Sequence, residues 1–369
     1  MNILLLGNGF DLSHGLPTHY NDFFNIMLDF RGFFDLFDAQ KSVSAKGDDG
    51  HMKWNGKVYD IDDMDFYQIA ELDKLLSDNS WAYYFKNGGA NVKGWIDFER
   101  EIIPVVDFLL EIFKSDICIY RDGSTFAECI INQEMNSRHR RIASLLKKYF
   151  IASNNIKIKR EYFAPDYGML KEVILDSLQE EFNNFIKALE IYFSEFVLKQ
   201  SRPNLLKQIA DINADMIISF NYTETERIYP HFSMIDRKYH IHGVIGHKPN
   251  NIVLGINKCN DPHNDCLGYT KYFQRIQKNS SIEFKKIIRE SYGKERNVLY
   301  IYGHSLDETD RDIIEFLFCN SVEVRIYFYN QKDYEQKVIN IIKLFGKEDI
   351  EENLEKGRYQ FIKISSETI

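Results

Sequence analysis

Proline is scarce in this chain, 7 residues in 369, and so little argues against long disordered linkers. Cysteine is scarcer: Cys118, Cys129, Cys259, Cys266 and Cys319 are odd in number and scattered. That excludes a disulfide-dense secreted scaffold and suits reduced, buried thiols. No apolar run approaches the roughly 20 residues that a membrane span requires. The opening run Ile3-Leu4-Leu5-Leu6 is too short for a signal peptide and has no basic residue before it. The expected location is the cytoplasm, without membrane contact. Positive charge is also in deficit, with 46 Lys and Arg against 55 Asp and Glu, a net of −9. A chain this acidic is a poor general nucleic-acid binder, because phosphate attraction needs positive charge. One segment runs the other way. From Arg138 to Arg160 there are eight Lys or Arg and no acidic residue. It reads as a solvated helix face or as a contact patch for nucleic acid or an acidic partner.

Apolar and aromatic residues are plentiful. Hydrophobic residues make up 44% of the chain, with 28 Phe and 22 Tyr, so a sizeable core can be buried. Asn2 to Leu6 reads as a strand running into Gly7-Asn8-Gly9. A helix is expected after Thr18, whose side chain can cap it, with Asp22 in the first turn. From Trp95 to about Gln200 the pattern is mostly helical. Leu170, Val173, Leu178, Phe182, Phe185, Leu189, Phe193 and Phe196 keep helical spacing and read as core. After Pro203 the rhythm changes. Met216-Ile217-Ile218-Ser219-Phe220 is a continuous apolar run, as in a strand covered on both faces. Tyr239 to His242, Asn251 to Leu254, Asn297 to Tyr302, Val322 to Tyr329 and Tyr359 to Ile364 are further strand candidates. Helices are expected at Glu283–Glu290, Glu308–Cys319 and Lys332–Phe345. Strands alternating with helices indicate an α/β fold with a mainly parallel sheet. The expected division is residues 1–19 and 206–369 for the sheet, with 20–205 a mostly helical insertion.

Four segments could carry chemistry. The first is the string from Gly7 to Thr18, Gly7-Asn8-Gly9-Phe10-Asp11-Leu12-Ser13-His14-Gly15-Leu16-Pro17-Thr18, directly after the first strand. Glycines there let a backbone approach a ligand, and free N–H groups can cradle a diphosphate. The G-x-G-x-x-G spacing is not met, because Leu12 stands where its third glycine belongs. The second is Ser219-Phe220-Asn221-Tyr222-Thr223, where Asn221 either terminates a strand or faces a ligand at the strand's carboxyl end. The third is Tyr239-His240-Ile241-His242-Gly243, with alternation placing His240 and His242 on one face. The fourth is Gly303-His304-Ser305-Leu306-Asp307. Asp307 stands where a serine-hydrolase elbow needs glycine, and Asp307 to Asp310 can cap the following helix. Cys259, His263 and Cys266 have no clear fourth ligand nearby, so no structural zinc and no metal are expected.

These segments together resemble a known family. The opening string is similar to the sirtuin loop, with Gly7, Gly9, Ser13, Gly15 and Pro17 in register. It is more similar still to the opening of AbiH phage abortive-infection proteins, G-N-G-F-D followed by G-L-P-T. Asn221 matches the asparagine of the sirtuin T-Q-N-I-D segment. His242-Gly243 resembles the His-Gly whose histidine is the family's general base. Gly303 to Leu306 resembles the late G-x-S-L turn, and Trp95 to Glu99 a W-x-D-x-E segment of AbiH proteins. The resemblance implies a Rossmann-like, sirtuin-like sheet and an antiphage abortive-infection effector that hydrolyses the nicotinamide–ribose bond of NAD or a related nucleotide. It implies His242 and Asn221 as catalytic residues. It implies Gly7, Asn8, Gly9, Phe10, Asp11, Gly15, Tyr222, Gly303, Ser305 and Asp307 as binding residues for NAD, as substrate or ligand. The chain departs from the sirtuin pattern at Thr18, Tyr20, Phe220 and Thr223. It also lacks any C-x-x-C pair, which argues against protein deacetylation. Two other readings stay open. One is a nucleotide-sensing interaction protein acting through a phage or host protein, or through a second copy of the chain. The other is an RNA-directed toxin or nuclease using Arg138 to Arg160.

Overall fold

The computed structural model describes residues 1–44, 50–88, 95–114, 117–122, 126–131, 136–152, 156–162, 171–257, 259, 265–278, 283–291 and 296–365. Its strands, in chain order, are β1 (Asn2–Leu6), β2 (His51–Trp54), β3 (Lys57–Asp60), β4 (Ile117–Asp122), β5 (Phe126–Ile131), β6 (Phe150–Ala152), β7 (Ile156–Ile158), β8 (Met216–Ser219), β9 (Lys238–His240), β10 (Val298–Tyr302), β11 (Glu323–Phe328) and β12 (Tyr359–Lys363). The chain divides into two compact units. A sheet unit holds Met1–His19, Phe196–Val253 and Gln274–Ile369; a second unit holds Tyr20–Glu195 and Leu254–Phe273.

The sheet unit is built on six strands in the order β12-β11-β10-β1-β8-β9, every neighbouring pair parallel. Numbered within the sheet alone, that is the 3-2-1-4-5-6 order of the Rossmann fold read from the β9 edge. The order of connection reverses between β1 and β10. β1 lies centrally, with Leu6 opposite Tyr302 on one side and Ser219 on the other. Its side chains alternate between two cores. Ile3 and Leu5 join Ile218, Ile301, Ile326, Ile314 and Leu317 on one face. Leu4 and Leu6 join Ile217, Phe10, Tyr229, Phe232 and Tyr302 on the other. Both faces are covered, which is why the strand is apolar throughout. Three helices cross between or follow these strands at Glu283–Ser291, Arg311–Cys319 and Gln331–Phe345. The last begins at Asn330, whose side chain accepts from the Asp333 N–H at 3.0 Å.

Not every expected strand forms. Asn251 to Leu254 is not a strand, although Ile252, Val253 and Leu254 are buried. The Val253 N–H there goes to the carbonyl of His242, at 2.8 Å, rather than into a ladder. The strand expected through His242 ends at His240.

The second unit has the long helix Lys171–Tyr192 as its spine. Phe182 and Phe185 on that helix meet Trp81, Phe23, Phe85, Phe98 and Tyr269. Residues 254–273, expected with the sheet, belong here instead. The cause is local: the Tyr269 ring packs against Trp81 at 5.3 Å, and Lys271 pairs with buried Glu99 at 2.9 Å. The Trp95-to-Gln200 stretch is mostly helical, as its spacing predicts, but not throughout. It contains a four-stranded antiparallel sheet, β4-β5-β7-β6. These strands are short, three to six residues each, and pair as the neighbours β4-β5 and β6-β7, joined through β5 and β7. Helical periodicity carries no record of such pairing.

Candidate functional site

At the point where the sheet order reverses, two glycine turns touch. Gly7 donates its N–H to the carbonyl of Tyr302 at 3.1 Å, and Gly9 to that of Gly303 at 2.8 Å. A Cβ on Gly7 would stand 2.6 Å from Cα of His304, and one on Gly9 2.7 Å from Cα of Gly303. Gly303 itself has φ +71°, and a Cβ there would lie 2.1 Å from the backbone nitrogen of Phe10. Only glycine permits so close an approach. The N–H groups expected to cradle a diphosphate are thus engaged with carbonyls of the neighbouring turn. Residues Asn8–Ser13 form a short helix that the sequence pattern does not announce. Within it Phe10 is fully buried in the core, edge-on to Tyr302. The Asn8 side chain donates to the Thr18 carbonyl at 3.0 Å, closing the loop. Gly15 is exposed, with φ +80°. The helix expected after Thr18 spans Tyr20–Leu28, with Asp22 in its first turn.

Asp11 sits one turn into the short helix and is 1% exposed. The Thr223 hydroxyl donates to its Oδ2 at 2.6 Å, and the Thr225 hydroxyl donates to Thr223 at 3.0 Å. Burial pushes the Asp11 carboxyl up to about 6; Thr223, Thr225 and Asn221 pull it down, and the nearby charge of Glu226 adds to the rise. Thr223 is one of the positions that departs from the sirtuin pattern, and its role is now visible: it is the partner of Asp11. Asn221 is buried beside this group, its N–H donating to the Ser219 hydroxyl at 3.1 Å. The Tyr222 hydroxyl donates to the Val253 carbonyl at 3.1 Å, and its ring lies 6.4 Å from that of His242.

His242 and His240 have different partners, because His242 lies beyond the end of β9, where alternation no longer applies. His242 Nε2 meets Asp310 Oδ1 at 3.1 Å, and His304 Nε2 lies 3.8 Å from Asp310 Oδ2. The Phe220 ring packs on both imidazoles, at 5.1 and 4.4 Å. His304 Nδ1 accepts the N–H of Leu306 at 2.9 Å, which leaves Nε2 as the protonated nitrogen facing Asp310. Leu306 is fully buried and holds φ +61°, an uncommon backbone for a branched side chain. The turn is steadied from behind by Lys337 Nζ on the His304 carbonyl and Asn340 on the Ser305 carbonyl, each at 2.9 Å. Asp307 does cap, accepting from Thr309 N–H at 3.1 Å.

The structure therefore links Gly7, His304, Phe220 and His242 by direct contact, and gathers Asp11, Asn221 and Thr223 nearby in the same unit. Asp310 was missed as a site residue. It lies 68 residues from His242 and reads locally as a helix cap. His14 was missed too. It is buried, bonded to the Tyr229 hydroxyl at 2.8 Å, and burial lowers its pKa. A third gathering, Glu224, Glu226 and His240, brings ligand atoms within 4.8 Å of one another. Desolvation opposes a charge on His240, but Glu226 outweighs it and the net direction is upward.

Other anticipated residues do not join the site. Glu99 is committed to Lys271; the side chains of Trp95 and Asp97, like His263, lie outside the described residues. Cys266 is buried and the adjacent Asp265 pairs with Lys171. In the basic segment, Arg138, Arg140 and Arg141 are exposed on the helix Ser137–Leu145. Lys148 there is held by Glu181, and Lys147 lies over the Tyr83 ring at 3.9 Å.

Fold and site define an α/β protein with an open parallel sheet and polar groups gathered at the carboxyl ends of its central strands. The family model described as bacteriophage abortive infection AbiH matches residues 3–330, and the chain belongs to that family. Its place is accordingly in abortive infection of phage-infected bacteria. No curated protein and no solved structure matches the chain. Among the described residues, no helix is long and apolar enough to cross a membrane.

Proposed function

We propose that this AbiH protein acts in abortive infection by hydrolysing the nicotinamide–ribose bond of NAD or a related nucleotide at the carboxyl edge of its sheet. The observation that carries the reading is Asp11, a buried carboxyl held near 6 beside Asn221 and Thr223. Breaking that bond develops positive charge on the ribose. A carboxylate released from water is suited to stabilise it, and Asn221 to orient a ribose hydroxyl or the attacking water. Water adds to the ribose carbon, nicotinamide leaves with the bonding pair, and one proton is released. His242 takes that proton, oriented by Asp310. The motif resemblance to sirtuins supports the same chemistry. The test is NAD consumption by the purified protein, with NAD measured in cells before and during infection. Asp11→Asn, His242→Ala and Asn221→Ala should each cut turnover by about 10² to 10⁴ while NAD binding persists. A wild type that neither binds nor consumes NAD, even during infection, ends the enzyme reading.

A second reading follows from the engaged N–H groups of Gly7 and Gly9, which leave a diphosphate without the donors expected to hold it for turnover. In it the site senses a nucleotide without turning it over, and a phage protein, a host protein or a second copy of the chain receives the signal. Protection that survives His242→Ala, with no change in NAD, selects this alternative. RNA contact at Arg138, Arg140 and Arg141 would show as protection lost in the triple glutamine variant while NAD handling is retained.

A further inference from the structure

We propose that Glu224, Glu226 and His240 form a binding site for a divalent transition-metal cation at the carboxyl ends of β8 and β9. Their ligand atoms lie within 4.8 Å of one another. Ligands bound to one ion at about 2.1 Å stand at most about 4.2 Å apart, so a movement of a few tenths of an ångström closes the set. The orientation of the histidine suits a ligand. His240 Nδ1 lies 3.3 Å from the Asn221 carbonyl. Donation there orients the ring with Nε2 toward the carboxylates, as in metal-binding histidines generally.

The second observation is an orphaned oxygen. Glu226 is 1% exposed, and its Oε1 is buried without a hydrogen bond. His240 Nε2 approaches that atom at 3.4 Å. With Nδ1 donating to the Asn221 carbonyl, Nε2 meets the Glu226 oxygen either as the N–H of a charged imidazole or, when a cation lies between them, as a ligand. Asp11 deepens the need. It too is 1% exposed, its Oδ1 is buried without a hydrogen bond, and it feels the charge of Glu226. Buried anions left this way are costly unless paired or bound to metal. Glu224 supplies the open side. It is 35% exposed and pairs with Arg227, itself 58% exposed, at 2.5 Å. An exposed pair of that kind contributes little and opens readily. A cavity of about 180 Å³, bounded by Glu224, Thr225, Leu16 and Pro203, lies on the Glu224 side of the set.

One imidazole nitrogen with two carboxylates suits manganese, iron or zinc better than magnesium or calcium, which favour all-oxygen sets. Three protein ligands leave positions for water or substrate. The site differs from the Cys259, His263, Cys266 set weighed from the sequence. It is also independent of the nucleotide reading, since its test reads metal alone.

The experiment uses the full chain stripped with EDTA and dialysed. Mn²⁺ is titrated and followed by loss of the free-ion EPR signal; Zn²⁺ is titrated in competition with a chromogenic chelator. Wild type should bind one ion of at least one of these metals per chain. Glu226→Gln and His240→Gln should each weaken it at least tenfold, with thermal unfolding confirming that both variants are folded. Should either variant fail to fold, Glu224→Gln, on the exposed side, reads the same loss. Wild type binding neither ion at one per chain overturns the proposal. So does stoichiometric binding that survives in the folded variants.

Discussion

Each unit of the protein buries a carboxylate on a helix, and the two are treated differently. Glu181, on the long helix of the second unit, is 6% exposed. It accepts the Tyr149 hydroxyl at 3.0 Å and the Ser80 N–H at 2.8 Å, and it pairs with the Lys148 ammonium. Asp11, in the sheet unit, receives a hydroxyl from Thr223, and its other oxygen has no hydrogen bond. A carboxylate held by a cation and two donors ties parts of the structure together. One surrounded by hydroxyls is left with a proton affinity near the working pH. The lesson is where to look for chemistry: the second unit settles its buried charges internally, whereas the sheet unit leaves some unsettled at the edge of its strands.

The strongest way to break this contrast is through the glycine junction that places Asp11. Gly303→Val puts a branched side chain at φ +71° and drives its Cβ against the Phe10 backbone. Neither turn can retreat without parting β1 from β10. The variant should lose the cooperative melting transition of the sheet unit altogether, as seen by circular dichroism and limited proteolysis. A folded Gly303→Val protein would mean that the two turns are not pressed together.

A smaller effect sharpens the other half. Lys271 and Glu99 are 1% and 7% exposed, paired at 2.9 Å in the second unit. Lys271→Met leaves Glu99 buried without its cation and should cost about 3 to 5 kcal/mol in urea unfolding. A cost below about 1 kcal/mol would place that pair among exposed ones, and the contrast between the units would fail.

Asp11→Asn should have the least effect on stability, and in the opposite direction. The carboxyl titrates at 3.8 unfolded and at about 6 in the fold. Its stabilising contribution is therefore complete below 3.8 and disappears as pH rises through about 6. A rise of that size corresponds to roughly 3 kcal/mol. The variant should match wild type near pH 4 and exceed it near pH 7.5 by up to that amount. An equal difference at both pH values would remove Asp11 from the titrating groups. Greater stability together with lost turnover is the expected signature of a residue kept for chemistry.

Much of the sheet was legible in the sequence because its strands are apolar on both faces. Met216 to Phe220 and Ile3 to Leu6 could hardly be anything else. The helices after β10 and β11 were legible from periodicity, the first also from the capping run Asp307 to Asp310. The antiparallel strands of the second unit were not: they are only three to six residues long, too short for alternation to stand out, although most pair with the next strand in sequence. At the site, Asn221 and His242 stood out through local motifs. Asp310 and Glu226 did not, because each looks like one more acid beside a turn, and only the folded neighbours show where its carboxylate points. The glycines were found for a different reason from the one the structure supplies: they let two turns touch.

The central position of β1 also bears on how the chain is made. Asn2 pairs with Val298, and Ile3 with Met216. A ribosome adding about 5 to 20 residues per second reaches Val298 roughly 15 to 60 s after releasing β1. For that interval one of the most apolar strands in the protein lacks its full set of neighbours. It must wait in the company of chaperones or of temporary apolar contacts, and closing so long a loop is slow. Any activity that needs the assembled sheet is then withheld until translation is nearly finished. Truncated chains ending before Val298 should be insoluble or rapidly degraded rather than partly active.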